Sequence, residues 1–276
     1  MTLSLKLIGY PIEHSMSPWI HNEFLKRSNL EGTYELFEIS PEESFEDNVT
    51  TLKKSVLTGF NVTVPYKQKI MQFLDEVDDT ANLMGAVNTV SIRDGKWIGY
   101  NTDGIGYLRS LYAAYPFLKG VTNKRVLILG AGGAARGIFH ALVNEGYNNI
   151  KIANRTLSRA ESIIGTNKQA LAISLEEAAE ELHQFDLVIQ TSAVGMNEPR
   201  SIIILDRINE DTVVSDIVYQ PLETHFLQLA KQRTPYIHHG HTMLLYQAQA
   251  AFEIWTGTNV NVSGMDMQIE QILKGR

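Results

Sequence analysis

Apolar positions along the chain switch between two periods. Runs of about four to eight β-branched and leucine residues recur between stretches whose apolar positions repeat at helical spacing. In the first hundred residues, strands are expected over 5–12, 33–39 and 60–64. Helices are expected after Ser17-Pro18, over 42–55 and from about 66 to 74; Ser17 suits an N-cap and Pro18 a first turn. Runs 87–92 and 96–100 flank Asp94-Gly95, a pair that tolerates the positive φ angles of a tight hairpin. These signals predict an α/β domain with a mostly parallel sheet and an antiparallel edge. A connecting helix follows over 105–115. Strands then alternate with helices: 125–129, 149–153, 170–173, 187–191, 213–217 and 236–238. That spacing predicts a doubly wound parallel sheet. Ser174 and Glu177 form a capping-box pair between the third and fourth of these strands. Final helices are expected over 242–255 and 266–273.

The second half carries the clearest chemistry. Arg125-Val-Leu-Ile-Leu runs into Gly130-Ala131-Gly132-Gly133-Ala134-Ala135, and a helical pattern follows at once. Strand, glycine turn and helix place a pyrophosphate on a helix N-terminus. Gly130 permits the turn, Gly132 allows close approach of the backbone to phosphate, and Ala135 lets helix and strand pack. Taken alone the pattern also fits an ordinary βα turn. The next strand ends in Asn154-Arg155-Thr156, where an NAD site usually carries an acid for the ribose hydroxyl. A guanidinium there matches a phosphate, so the expected nucleotide is NADP. Arg159, one turn on, reads either as a second cation or as a solvated helix residue.

The chain has 276 residues, enough for one large or two ordinary domains. Its formal net charge of −7 argues against nucleic acid as a partner. No apolar run reaches membrane-spanning length and no signal-peptide pattern opens the chain, so a cytoplasmic protein is expected. Without cysteine there is neither a disulfide nor a thiol nucleophile. The run His238-His239-Gly240-His241 lacks helical ligand spacing and a nearby carboxylate cluster, and no metal is expected.

In the first half, polar residues gather at strand ends and turns, where α/β sites are built. They are Ser15, Ser17, Asn61, Thr63, Lys67, Asn88 and the run Asn101-Thr102-Asp103. Asn61 and Thr63 alternate about Val62 and so point to one face. Lys67 falls in the expected first turn of the 66–74 helix, where the dipole disfavours a cation and favours proton transfer. By position alone the favoured reading is a snorkelling surface lysine. Asp103 reads equally as an N-cap of the connecting helix.

Several of these segments together resemble one family. Gly9-Tyr-Pro-Ile-Glu-His-Ser-Met-Ser-Pro18 with His21-Asn22 is similar to the N-terminal signature of shikimate dehydrogenases. So are Gly59-Phe-Asn-Val-Thr-Val-Pro-Tyr-Lys67, Gly85-Ala-Val-Asn-Thr89 and Gly99-Tyr-Asn-Thr-Asp-Gly104. The glycine turn, Asn154-Arg155-Thr156, Thr191-Ser-Ala-Val-Gly-Met196, Met243-Leu244 and Gln247-Ala248 follow in the family's order, across essentially the whole chain. Two departures, the His238–His241 run and Glu13-His14, vary the pattern.

The resemblance implies NADPH-dependent reversible reduction of 3-dehydroshikimate to shikimate, on the route to chorismate and aromatic amino acids. It implies Lys67 and Asp103 as the catalytic pair, with Ser15 and Ser17 on the substrate carboxylate. Asn61, Thr63, Asn88, Asp103, Gln247 and Tyr219 would meet the rest of the substrate. Gly130, Ala131, Gly132, Gly133 and Ala134 would wrap the pyrophosphate; Asn154, Arg155, Thr156 and Arg159 would hold the 2′-phosphate. Thr191, Ser192, Gly195, Ile217 and Gly240 would lie along the nicotinamide, Gly240 by leaving room for it. The implied division is a substrate domain over 1–104, completed by helices returning over 241–276, and a Rossmann domain over 105–240, with the ligands in the cleft between. The expected partner is a small molecule, and the expected state a monomer or homodimer. A quinate/shikimate dehydrogenase, a methylenetetrahydrofolate dehydrogenase and a non-catalytic NADP sensor remain as alternatives. The Ser15/Ser17 and Asn61/Thr63/Lys67 set fits poorly with folate chemistry.

Overall fold

The computed structural model describes residues 2–275. In chain order the first elements are β1 (Leu3–Gly9), α1 (Ser17–Arg27), β2 (Gly32–Glu38), α2 (Phe45–Lys54), β3 (Gly59–Val62), β4 (Glu76–Val77), α3 (Asp79–Met84), β5 (Thr89–Arg93), β6 (Lys96–Tyr100) and α4 (Asp103–Ala114). Then follow β7 (Val126–Leu129), α5 (Gly133–Asn144), β8 (Ile150–Ala153), α6 (Leu157–Ile164), β9 (Ala170–Ile173), α7 (Leu175–Glu180), β10 (Leu187–Gln190), β11 (Val213–Asp216), α8 (His225–Ala230), β12 (Ile237–His238), α9 (Gly240–Thr256) and α10 (Met265–Lys274).

Two compact units result: Met1–Asp103 with Gln247–Val262, and Gly104–Tyr246 with Ser263–Arg276. The expected return of the whole 241–276 segment to the first unit is therefore corrected. The stretch from Gln247 does return, anchored where Trp255 Nε1 donates to Val90 O at 2.9 Å. The segment carrying α10 groups with the second unit instead.

The sheet of the first unit runs β2-β1-β3-β5-β6-β4. β1 pairs in parallel with β2 and β3, and β4 in parallel with β6. The antiparallel pairs, β3 with β5 and β5 with β6, lie inside the sheet and not at its edge, because the short β4 covers β6. Asp94 and Gly95 take φ of 51° and 79°, the hairpin turn expected of that pair. Phe60, Val62, Val87, Val90 and Trp97 pack with Phe45, Val49 and Leu52 of α2 into the core beneath. α2 begins one turn later than expected, at an N-cap where Ser44 accepts from Asp47 N. The helix expected over 66–74 is only a 3₁₀ turn, Lys69–Phe73.

The second unit's sheet is wholly parallel, in the order β12-β11-β10-β7-β8-β9. This is the doubly wound Rossmann order, with its topological switch between β7 and β10. Both faces of the central strands are buried, as their unbroken apolar runs require. One face packs on Tyr107, Leu111, Ile138 and Leu142, the other on Leu182, Phe226 and Leu227. Ser174 and Glu177 make the expected capping box at the start of α7.

Candidate active site

In the first unit four predicted residues meet in one hydrogen-bond network. Lys67 follows the turn after β3, and Asp103 opens α4. The Lys67 Nζ lies 2.6 Å from Asp103 Oδ2, with both side chains partly exposed. Asn88 Nδ2 donates to Asp103 Oδ1 at 2.8 Å and to Thr102 Oγ1 at 3.0 Å. Its own carbonyl oxygen accepts from Thr102 N at 2.8 Å. The aspartate is thus gripped at both oxygens and holds the lysine head in place.

Two local expectations are corrected here. Lys67 precedes the 3₁₀ turn and is not inside an α-helix, so the helix dipole has no part in its placement; Asp103 has. Asp103 is not a side-chain cap, since its oxygens face Lys67 and Asn88, and Asn101 Oδ1 accepts from its backbone N–H.

Asn61 extends the network. Its Oδ1 accepts from the Tyr34 hydroxyl at 2.7 Å, and its Nδ2 donates to Asn88 O and to Thr89 Oγ1, each at 3.0 Å. Both amide hydrogens are committed within the protein, and the residue is buried. Asn61 therefore ties Tyr34 to Asn88 and keeps one Oδ1 lone pair for a hydroxyl donor. Burial holds the Tyr34 hydroxyl far above the ordinary phenol range, partly offset by Ser17 beside it. Tyr34 also stacks on the buried His21 ring, with centroids 4.3 Å apart.

Ser15 and Ser17 flank Met16 at the start of α1. Ser15 Oγ accepts from Ser17 N at 3.2 Å, and Ser17 is the first helical residue, not the cap. Thr63 is half-buried two residues beyond Asn61, and Gln247 lies on the part of α9 that groups with this unit.

In the second unit, the glycine turn has the predicted geometry. Gly130 takes φ of 109°, and a Cβ there would lie 2.9 Å from Thr191 Oγ1. Gly132 caps α5 and Gly133 opens it, and a Cβ on either meets no protein atom within 4 Å. The first turn of α5 therefore presents bare backbone N–H groups over open space, a fit for a pyrophosphate. Ala131 and Ala134 flank these glycines without adding bulk. Ala135 is fully buried, as its packing role requires. At the end of β8, Asn154 Nδ2 donates to Thr156 O and shapes the loop that carries Arg155. Arg155 and Arg159 are exposed and form no ion pair among the described residues. They fit the 2′-phosphate that distinguishes NADP.

The ends of β10 and β11 line a cavity of about 300 Å³ with Thr191, Ser192, Ala193, Met196, Ile217, Val218, Tyr219 and Gln220. Tyr219, expected with the substrate residues, is thus placed among those expected along the nicotinamide. Gly195 shapes the first of the two loops at φ 92°. Gly240 is corrected. A Cβ there would lie 2.3 Å from Ile217 O and 2.8 Å from Val218 O, so its missing side chain admits the neighbouring loop backbone, not a cofactor. In the histidine run, His238 is buried with Nδ1 at 2.8 Å from Ser215 Oγ and Nε2 at 3.1 Å from Thr242 Oγ1.

The sequence reading passed over Tyr34, Thr89, Gln190 and Asp216. The last two had a signal: each is a polar residue closing a buried strand at the carboxyl edge of the sheet.

A Rossmann unit with a basic loop after its second strand, together with a unit presenting a lysine–aspartate pair, defines a dinucleotide-dependent oxidoreductase. Comparison with known proteins narrows the class. Residues 7–90 match the shikimate dehydrogenase substrate binding domain, 113–212 the shikimate/quinate 5-dehydrogenase family, and 240–270 the shikimate 5′-dehydrogenase C-terminal domain. A shikimate dehydrogenase (NADP+) of Bacillus cereus is 42% identical, over 98% of this chain and 98% of its own. The Thermus thermophilus shikimate 5-dehydrogenase, solved with NADP(H) and shikimate, aligns with a TM-score of 0.86 at 33% identity, covering 98% of this chain and 99% of its own. A quinate dehydrogenase from Corynebacterium glutamicum, solved with NAD, aligns with a TM-score of 0.89 at 27% identity, covering 98% and 99%. The chain belongs to the shikimate dehydrogenase family.

Proposed function

We propose that the protein catalyses the NADPH-dependent, reversible reduction of 3-dehydroshikimate to shikimate, on the route to chorismate and the aromatic amino acids. The carrying observation is the Lys67–Asp103 pair at 2.6 Å, locked by Asn88, in the unit that matches the family's substrate-binding domain. Ser15 and Ser17, with the first N–H groups of α1, hold the substrate carboxylate. Asn61, Thr63, Asn88, Asp103 and Gln247 meet the ring hydroxyls. In reduction, Lys67 donates a hydrogen bond to the ketone oxygen and then gives it the proton as charge develops there. In oxidation the same nitrogen takes the hydroxyl proton. Asp103 aims the nitrogen and stabilises its charge.

Bound NADPH supplies the hydride. Gly130, Gly132 and Gly133 with the start of α5 receive its pyrophosphate, and Arg155 and Arg159 its 2′-phosphate. Thr191, Ser192, Ile217 and Tyr219 line the nicotinamide side. We place the enzyme in the cytoplasm, as a monomer or homodimer acting on soluble metabolites; among the described residues no helix is long and apolar enough to cross a membrane.

The second reading, a quinate dehydrogenase using NAD, is supported by the alignment with the Corynebacterium protein. The exposed Arg155 and Arg159, and a strand end at β8 that carries Asn154 and no acid, weigh against it. Steady-state rates for shikimate and quinate, each with NADP+ and NAD+, decide between them. The proposal expects the highest kcat/KM for shikimate with NADP+; preference for quinate with NAD+ would overturn it.

A further inference from the structure

The loops that line the cavity at the ends of β10 and β11 are both tied to one buried pair of side chains. Gln190 and Asp216 are the last residues of these neighbouring parallel strands, stand opposite each other in register, and are fully buried. Gln190 Nε2 donates to Ser192 O at 3.1 Å, Val194 O at 3.0 Å and Asp216 Oδ1 at 3.3 Å. Gln190 Oε1 accepts from Ser192 N. Asp216 Oδ1 also accepts from Val218 N at 2.9 Å, and its Oδ2 accepts from Thr224 Oγ1 at 2.6 Å. Thr224, itself buried, accepts from Leu227 N as the N-cap of α8. Gln190 therefore sets the 191–196 loop and Asp216 the 217–224 loop, and the two loops supply every lining residue of the cavity.

We propose that Asp216, acting with Gln190, is a positioning residue for the nicotinamide half of the cofactor, and that it does so as the ionised carboxylate. This rests on the reading that the second unit holds NADP. It goes beyond that reading by separating the parts of the site: Asp216 touches none of the residues expected to hold pyrophosphate or 2′-phosphate. The donor set requires the charge. Val218 N–H, the Thr224 hydroxyl and the Gln190 amide all give hydrogens, so a proton on the carboxyl leaves one of them unmatched.

Burial raises the Asp216 carboxyl to about 6, against the opposing hydrogen bonds from Thr224, Val218 and Gln190. No charged side chain is among the groups that set this. On β12 the neutral His238 bonds Ser215, one residue back and so on the other face of β11. The loops consequently lose their shared anchor as pH falls through about 6.

The experiment measures binding of two probes, NADP+ and adenosine 2′,5′-bisphosphate, to the full-length wild type and to Asp216→Asn, from about pH 5 to 8. The fragment carries the 2′-phosphate, whose own protonation is thereby controlled, but has no nicotinamide. Asp216→Asn is expected to weaken NADP+ about tenfold at pH 8, the scale of one lost charge-assisted hydrogen bond, with fragment affinity unchanged. Relative to the fragment, wild-type affinity for NADP+ should fall below about pH 6, and the variant's should not. Thr224→Val, which removes the donor to Oδ2, should move that fall to higher pH. Equal weakening of both probes, or no effect on either, would overturn the proposal. A wild type that binds neither probe would instead overturn the nucleotide reading itself.

Discussion

Lys67 and Asn61 lie on one hydrogen-bond chain: Tyr34 to Asn61, Asn61 to Asn88, Asn88 to Asp103, Asp103 to Lys67. Because the middle of that chain is buried, breaking it strands polar groups away from water. Asn61→Ala is expected to lower stability by about 2 kcal/mol in denaturant titration, since Tyr34 and Thr89 each lose a partner. It should lower kcat, because Asn61 positions Asn88, and weaken shikimate binding by calorimetry, because Oδ1 keeps a lone pair for the ligand. Unchanged shikimate affinity would leave Asn61 a positioning residue alone. Arg155 acts at the other ligand. Arg155→Ala should weaken NADP+ by about 10- to 100-fold, the worth of charge-assisted contacts to a phosphate, and leave NAD+ nearly unchanged; equal loss for both would remove the 2′-phosphate role.

The residues on this chain were unevenly visible beforehand. Lys67 and Asp103 were picked out by their motifs, yet the local reasons offered by position, a helix dipole and an N-cap, fail because the helix after Pro65 is a 3₁₀ turn. Asn61 is picked out by its motif, but its buried partner is not: Tyr34 comes from another strand. Such partners have no signature in a local window.

At the scale of elements, periodicity located nearly everything in the second unit. Its central strands are buried on both faces, so they read as short apolar runs, and the six predicted strands lie within a residue or two of the observed ones. The first unit was harder. The hairpin was plain from Asp94-Gly95, but its interior place in the sheet depends on the two-residue β4, too short to carry a pattern. Gly240 shows how a glycine can be read correctly as a close approach and assigned the wrong neighbour. Gly240→Ala would drive a methyl into Ile217 O, so a loss of about 2 kcal/mol or more is expected from the shift in denaturation midpoint. Wild-type stability in that variant would show that the β11 loop yields freely.

For the whole molecule, acid sensitivity follows from buried histidines. Burial lowers His21 and His238 to about 3 and His241 to about 4. Between those values and the ordinary 6.5, the unfolded chain binds protons that the folded chain does not, so stability falls as pH drops through that window. Asp216 opposes the trend, since its raised carboxyl binds a proton in the folded state first. Neither ring nitrogen of His21 has a hydrogen-bond partner among the described residues. His21→Phe should therefore keep the ring stack on Tyr34 and reduce the slope of stability against pH, between about 4 and 6, by ~1.4 kcal/mol per pH unit. An unchanged slope would mean that His21 does not resist protonation.

The chain passes between its two units within α4, within α9 and again after Val262, and each unit brings one half of the chemistry: the first the Lys67–Asp103 pair, the second the glycine turn and its arginines. The most direct measurement follows NADPH absorbance with shikimate and NADP+ for the native protein and Lys67→Ala, with shikimate affinity determined in parallel. Lys67→Ala is predicted to lower kcat by about 10²- to 10⁴-fold, the scale of lost acid–base help, while shikimate still binds. Native turnover in the variant, or a rise in KM alone, would contradict the role of Lys67 at the reacting oxygen.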